Sequence, residues 1–213
     1  EMEPDLSENL IAAYQVADAS IDPFRLSLEN IAQAQRLGGT YLKNTEVVGF
    51  DMDRSMIQAA RVQNRHTGEE FRIEAEQVVC AGGAWAHDIG VLAGVRIGMI
   101  YSKGTLLITQ NRITRGVINR LRPATDGDIL VPGGTVSILG TTSVRTDSPD
   151  CIRPTVEEVD LIIDEGAAMV PMLAATRYIR AYSGVRPLLQ LEAVANDRQV
   201  SRGFALIDHQ VDG

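Results

Sequence analysis

The chain has 213 residues, 45% of them hydrophobic, with 28 acidic against 20 basic side chains and a net charge of -8. That length can bury a substantial core, and the acidic balance repels nucleic-acid phosphate and anionic headgroups, so no nucleic-acid partner is expected. Its apolar runs are broken by charge well short of the ~20 residues that cross a bilayer, and two cysteines, Cys80 and Cys151, form neither a disulfide framework nor a CxxC ligand pair.

The opening Glu1-Met2 and the closing HQVDG both read as cuts in a continuing chain, so an internal fragment is expected. Asp22 and Pro23 predict a helix entry, aspartate as cap and proline at the first helical position. The helix should run to Leu37, with Phe24, Leu28 and Ile31 as its apolar stripe and Gly38-Gly39 as its exit. Three strands are predicted next, in TYLKNTEVVGFD, SMIQAARVQN and EFRIEA, the last two joined by the turn HTGE. QVVCAGGAWAHDIG then reads as an apolar strand, a glycine turn and a helix starting near Trp85, an arrangement that lets backbone approach a cofactor. Cys80 in that strand is expected to be a small buried hydrophobe, and Cys151 to lie in a polar loop.

GMIYSKGTLLIT, DILVPGG and TVSILGTTS alternate apolar and polar positions between glycine-rich turns, as half-buried antiparallel strands do. Thr155 and Glu158 predict a capping box for a helix over TVEEVDLIIDEGAAMV. Its inward face should carry Val156, Val159, Ile163 and Val170, its acidic residues should be solvated, and Pro171 should close or kink it. A last strand is expected in SRGFALIDH. The architecture implied is α+β, with antiparallel or mixed sheet predominating.

Chemistry-bearing motifs are few. The three histidines, His66, His87 and His209, have no ligand partner at helix or strand spacing, and GxSxG, a P-loop and GxGxxG are all missing. YSGVRPL, Tyr182 to Leu188, stands out, because Gly184 and Pro187 restrict the backbone around Arg186. A guanidinium held there suits two-point contact with a carboxylate or phosphate, with the hydroxyls of Tyr182 and Ser183 beside it. Arg202 in VSRGFALID is a second such arginine, and the two together point to one anionic ligand. Spacing accommodates equally well a pairing of each arginine with a carboxylate of the fold.

DPFRL at 22–26, AGGAW at 81–85, Lys103-Gly104, LGTTS at 139–143, YSGVRPL and SRG, in that order, resemble the FAD-dependent glycerol-3-phosphate dehydrogenases, and more closely the anaerobic bacterial branch. Leu106 stands where the aerobic enzymes carry a histidine. The resemblance implies an antiparallel or mixed-sheet substrate domain, in the fold shared with the amino-acid oxidases, plus part of an FAD-binding domain. Residues 35–92 would contribute to the latter, 1–34 and 93–213 mostly to the former. It implies FAD as cofactor, with Val47 meeting the adenine through its backbone and Ala81 and Gly82 letting the chain pass close by. Trp85 would pack behind the cofactor or serve as an ordinary core anchor. Arg186 and Arg202 would hold glycerol 3-phosphate while its C2 hydride passes to the flavin, giving dihydroxyacetone phosphate. Lys103 would be structural or electrostatic, no catalytic base is named, and no metal is expected. Electrons would leave through iron-sulfur and membrane-anchor subunits to a quinone, placing the chain in the cytoplasm at the inner face of the membrane. An amino-acid or 2-hydroxy-acid oxidase of the same fold, and a binding module without catalysis, are the rival readings.

Overall fold

A computed structural model describes residues 3–190, 203 and 205–209. They divide into two units, one of residues 3–20 and 100–190, the other of 21–99 with 203 and 205–209.

The second unit opens with helix α1, Pro23–Arg36, entered as the sequence predicts: the Asp22 carboxylate accepts from the amides of Phe24 and Arg25 at 3.0 and 3.1 Å. Those amides have no partner inside the helix, which is why an aspartate is favoured there. Its apolar stripe is not core, however, since Phe24 is 81% and Leu28 67% exposed. Strands β1 (Thr45–Asp53), β2 (Met56–Asn64) and β3 (Glu70–Glu74) form an antiparallel meander in that order. The β2–β3 turn falls where HTGE predicts it: Asn64 Oδ1 accepts from the amides of His66 and Thr67, and Gly68 takes the left-handed φ of 77°. Phe50, Ala59 and Val62 are buried on this sheet, and the short helix α2 (Ala86–Leu92) packs on β1.

The strand expected through Val78–Cys80 does not form. Residues 77–82 pair with no other strand among the described residues, and Val79 is 76% exposed. A run rich in β-branched residues needs a neighbour's amides and carbonyls to become a strand, whatever its propensity. Cys80 is accordingly exposed rather than buried, and Cys151 is exposed in its loop as expected. The described part of the final run, 203 and 205–209, also carries no strand.

The first unit is an antiparallel sheet with one long helix against it. Its strands are β4 (Met99–Thr109), β5 (Ile118–Asn119), β6 (Ile129–Gly133), β7 (Val136–Gly140), β8 (Val144–Thr146) and β9 (Tyr178–Leu189). The order is β5-β6-β7-β4, with β8 and β9 also paired to β4. The short β5 and β8 carry too little pattern to be read from sequence. Helix α3, Val156–Met169, begins at the predicted capping box: Thr155 Oγ1 accepts from the Glu158 amide while Glu158 Oε2 accepts from the Thr155 amide.

Leu107, Leu130, Leu139, Ile162, Met169, Val170 and Leu173 form the core between sheet and helix. Gly166 lets α3 approach closely, for a Cβ there would stand 2.7 Å from a Leu139 methyl. The inward seam is Glu158, Ile162, Gly166 and Met169, rotated from the predicted one: Val159 and Ile163 flank the core, Val156 is 70% exposed, and buried Val170 caps the helix end. Pro171 does close the helix, starting a short 3-10 turn to Ala174.

Candidate functional site

Arg186 is the ninth of the twelve residues of β9, a strand that among the described residues pairs only with β4 and so tolerates Pro187, whose nitrogen cannot donate to a ladder. Alternation along the strand sends Tyr182, Gly184, Arg186 and Leu188 to one face and Ser183 to the other. The hydroxyl of Ser183 thus lies apart from Arg186, 2.7 Å from Thr105 Oγ1. Leu188 clusters with Ile100, which places Arg186 on the side of β4 that carries Ile100, Ser102, Gly104 and Leu106. Lys103 and Leu107 alternate to the opposite side, toward α3.

The guanidinium of Arg186 lies directly over Gly104. A Cβ at that glycine would meet Arg186 Nη1 at 2.6 Å and Cζ at 2.7 Å, closer than real atoms approach, so the charge occupies the place of a missing side chain. Nη2 donates to Thr141 Oγ1 at 3.0 Å and Nη1 to the Thr142 carbonyl at 3.3 Å. On the same strand face, no atom of the described residues lies within 4 Å of the place a Cβ would take at Gly184.

Thr141 and Thr142 belong to a bulge. Leu106 pairs with Gly140 and Lys103 with Val144, so two residues of β4 face three on the other chain segment, Thr141 to Ser143. A bulge of this kind breaks the ladder and re-aims its side chains. The orphaned Thr105 amide donates instead to Thr142 Oγ1 at 2.9 Å, and that hydroxyl donates to Glu158 Oε1 at 3.1 Å.

Beneath the sheet, Glu158 is buried, contrary to the expectation of a solvated acidic face. Its Oε2 pairs with Lys103 Nζ at 2.9 Å, the two side chains being 8% and 9% exposed, and the ammonium also donates to the Arg153 carbonyl at 3.0 Å. Burial pushes the Glu158 carboxyl up, but the bonds from Lys103, the Thr155 amide and Thr142 outweigh it and hold the group below the usual carboxylate range. Lys103 is therefore committed to the fold's electrostatics.

The remaining expected site residues divide. Val47 is half-buried in β1, opposite Val62 and next to a bulge at Val47–Gly49. Ala81 and Gly82 lie on the loop, and Trp85 at the end of the 3-10 turn Gly83–Trp85, that lead into α2; Ala81 is exposed and Trp85 52% exposed, so Trp85 is not a buried core anchor. A Cβ at Gly82 would meet the terminal methyl of Ile89 at 2.5 Å, which that flexible side chain can relieve by turning; Gly83 has φ 57° and no atom of the described residues within 4 Å of its Cβ position. Arg202 falls outside the described residues. The described residues contain no cluster of three or more His, Cys, Asp or Glu able to hold a metal ion, and no helix long and apolar enough to cross a membrane.

Sequence reasoning did not single out Gly104, Thr141, Thr142 or Glu158 for the Arg186 site. A lysine in an apolar alternating strand was the available signal, because a buried ammonium demands a carboxylate.

Residues 1–207 match the model of the family described as FAD dependent oxidoreductase. The chain belongs to that family. Among curated relatives, it is 44% identical over 210 residues to the A subunit of the anaerobic glycerol-3-phosphate dehydrogenase of Escherichia coli (strain K12), covering 98% of this chain and 39% of the relative. The A1 subunit of the anaerobic glycerol-3-phosphate dehydrogenase of Haloferax volcanii is 36% identical over 220 residues, covering 98% of the chain and 38% of the relative. The chain thus spans about two fifths of the length of the curated relatives it matches. Among solved structures, the glycerol-3-phosphate dehydrogenase of Bacillus halodurans complexed with FAD superposes with a TM-score of 0.66 at 27% identity, over 78% of this chain and 35% of that one. The L-proline dehydrogenase of P. horikoshii superposes with a TM-score of 0.68 at 22% identity, over 79% and 44%, which shows the shared fold. The α+β, largely antiparallel architecture agrees with this family.

Proposed function

We propose that this chain is a segment of an FAD-dependent dehydrogenase that oxidises glycerol 3-phosphate to dihydroxyacetone phosphate. The observation that carries the reading is Arg186, a guanidinium seated on Gly104 by the Thr141 hydroxyl and the Thr142 carbonyl. Relatives named for this reaction, 44% and 36% identical across nearly the whole chain, support the choice of a phosphate over a carboxylate.

The loop into α2 fits the flavin in one respect: at Gly83 the backbone is bare and faces open space. Ala81, Gly82 and Trp85, with the Val47 backbone, would hold the cofactor, and residues 35–92 would contribute to its domain. FAD, when bound, supplies the hydride acceptor for the C2 hydrogen. The chain's own task is to fix the substrate dianion, and a planar guanidinium held from behind aligns it with little reorganisation. Arg202 is proposed as the second arginine on that anion. By analogy with relatives whose names make them one component of a multi-subunit enzyme, electrons would pass to partner proteins, proposed to be an iron-sulfur protein and a membrane anchor, with the chain on the cytoplasmic face.

The test is steady-state kinetics of the full-length flavoenzyme carrying Arg186→Ala. Leaving a desolvated ligand charge without its partner costs roughly 2 to 5 kcal/mol, about 30-fold to several thousandfold in kcat/KM for glycerol 3-phosphate. Flavin should stay bound, and Arg186→Lys should recover only part of the loss, because it forfeits the two-point geometry. A folded, flavin-loaded alanine variant within about threefold of the parent would overturn the substrate role.

A further inference from the structure

We propose that Glu158 is a positioning residue for Arg186, acting from the opposite face of the sheet through Thr142. The inference rests on the reading of Arg186 as the anion-binding group only for its kinetic consequence; the positioning itself is independent of what Arg186 binds.

Each link is a hydrogen bond of the structure. Lys103 Nζ and the Thr155 amide hold Glu158 Oε2 at 2.9 Å each, so the carboxylate cannot turn away. Its other oxygen accepts from Thr142 Oγ1 at 3.1 Å, and the same hydroxyl accepts from the Thr105 amide at 2.9 Å. With donor and acceptor both committed, the Thr142 side chain is clamped between α3 and β4. Its backbone carbonyl is thereby aimed at Arg186 Nη1, and the neighbouring Thr141 hydroxyl at Nη2. A bulge alone would leave this segment three residues long with its ladder broken. The buried ion pair is what gives it one conformation. Serving both ends, Thr142 connects a charge pair under the sheet to a charge on top of it.

A merely structural role for the pair would lower stability without moving Arg186 in particular. Two readouts on the full-length flavoprotein separate the cases. The first is labelling of arginines by phenylglyoxal, read by peptide mass, with Arg186 compared against exposed Arg54 as an internal reference. The second is the split between KM and kcat for glycerol 3-phosphate. Glu158→Gln and Thr142→Val are both expected to raise Arg186 labelling severalfold relative to Arg54. They should also raise KM by about ten- to a hundredfold, the worth of one bond to a charged group, with kcat moving less. Thr142→Ser, which keeps the hydroxyl, should recover most of both effects. In an Arg186→Ala background, Thr142→Val should add little to KM, because its target is gone.

Unchanged Arg186 labelling in folded Thr142→Val overturns the relay, and so does equal labelling of the serine and valine variants. If Glu158→Gln does not fold, the serine and valine pair at 142 decides alone. Raised labelling with KM unchanged upholds the relay and instead overturns the assignment of Arg186 to the substrate.

Discussion

Gly104 shows how one absent methyl group is worth a charged side chain. In β4 a glycine is a poor choice on propensity, since it gives the strand nothing to pack. Here the arginine of a strand 82 positions away in sequence packs in its place, and the same face repeats the device at Gly140, where a Cβ would stand 3.3 Å from Leu106 Cγ. Gly104→Ala should therefore expel the guanidinium while leaving the strand paired. Overpacking of this kind costs about 1 to 3 kcal/mol. If Arg186 holds the substrate as proposed, the full-length flavoenzyme carrying this change should show a KM for glycerol 3-phosphate raised by about tenfold or more, with the melting temperature lowered by only a few degrees, checked by kinetics and thermal unfolding on the same preparation. An alanine variant with unchanged KM would show that Arg186 needs no seat. The arginine itself was legible in YSGVRPL, because glycine and proline frame it; its seat was not, because nothing local in SKGTLL says which distant side chain will cover the glycine.

At the scale of the element, α3 carries more of the fold's electrostatics than its sequence reveals. Besides Glu158 at its first turn, Glu165 near its end accepts from Arg120 and Arg122 at 2.6 and 2.8 Å, and Arg122 also reaches Asp128 at 2.6 Å. Hydrogen bonds from Arg122 lead the causes that hold the Glu165 carboxyl below its ordinary value. Asp128 is pushed up by burial but pulled further down by Arg122 and by the Thr125 amide and hydroxyl. All three carboxyls are thus more acidic folded than unfolded. The unfolded chain then binds more protons in acid, so their stabilisation is complete above the ordinary carboxylate range and lost as pH falls through the folded values. Thermal unfolding should show a flat melting temperature near neutrality and a steep fall below about pH 4.5. Glu158→Gln should lower the neutral plateau and flatten the fall; an unchanged acid slope in that variant would deny the carboxylate its part. The helix's limits were legible from its capping box and Pro171. Its facing was not, because the seam is drawn by a paired glutamate and Gly166, neither of which registers as apolar.

The chain as a whole keeps two kinds of information, and the sequence yields them unequally. Where strands pair within it, as in the β1–β3 meander and the β4–β7 sheet, alternation and turn residues located the elements closely. Where the apolar run at 77–82 has no partner strand among the described residues, propensity gave a strand that does not form. The same loop bears on the cofactor. A dinucleotide pyrophosphate is held by a glycine-rich turn whose amides open a helix, with the helix dipole behind them. No GxGxxG occurs in the 213 residues. The helix that follows Gly82-Gly83 is only seven residues long, and its N-cap Trp85 supplies no side-chain bond. Ala81, Gly82 and Trp85 would then contribute contact surface rather than the charge complement that makes flavin binding tight. We expect the isolated 213-residue chain, folded with excess FAD and passed through gel filtration, to emerge colourless, with no absorbance near the flavin bands in the protein peak. The full-length protein, treated identically, should retain its flavin. Stoichiometric flavin in the peak of the shorter chain would mean that these residues carry a sufficient cradle of their own and supply more than contact surface.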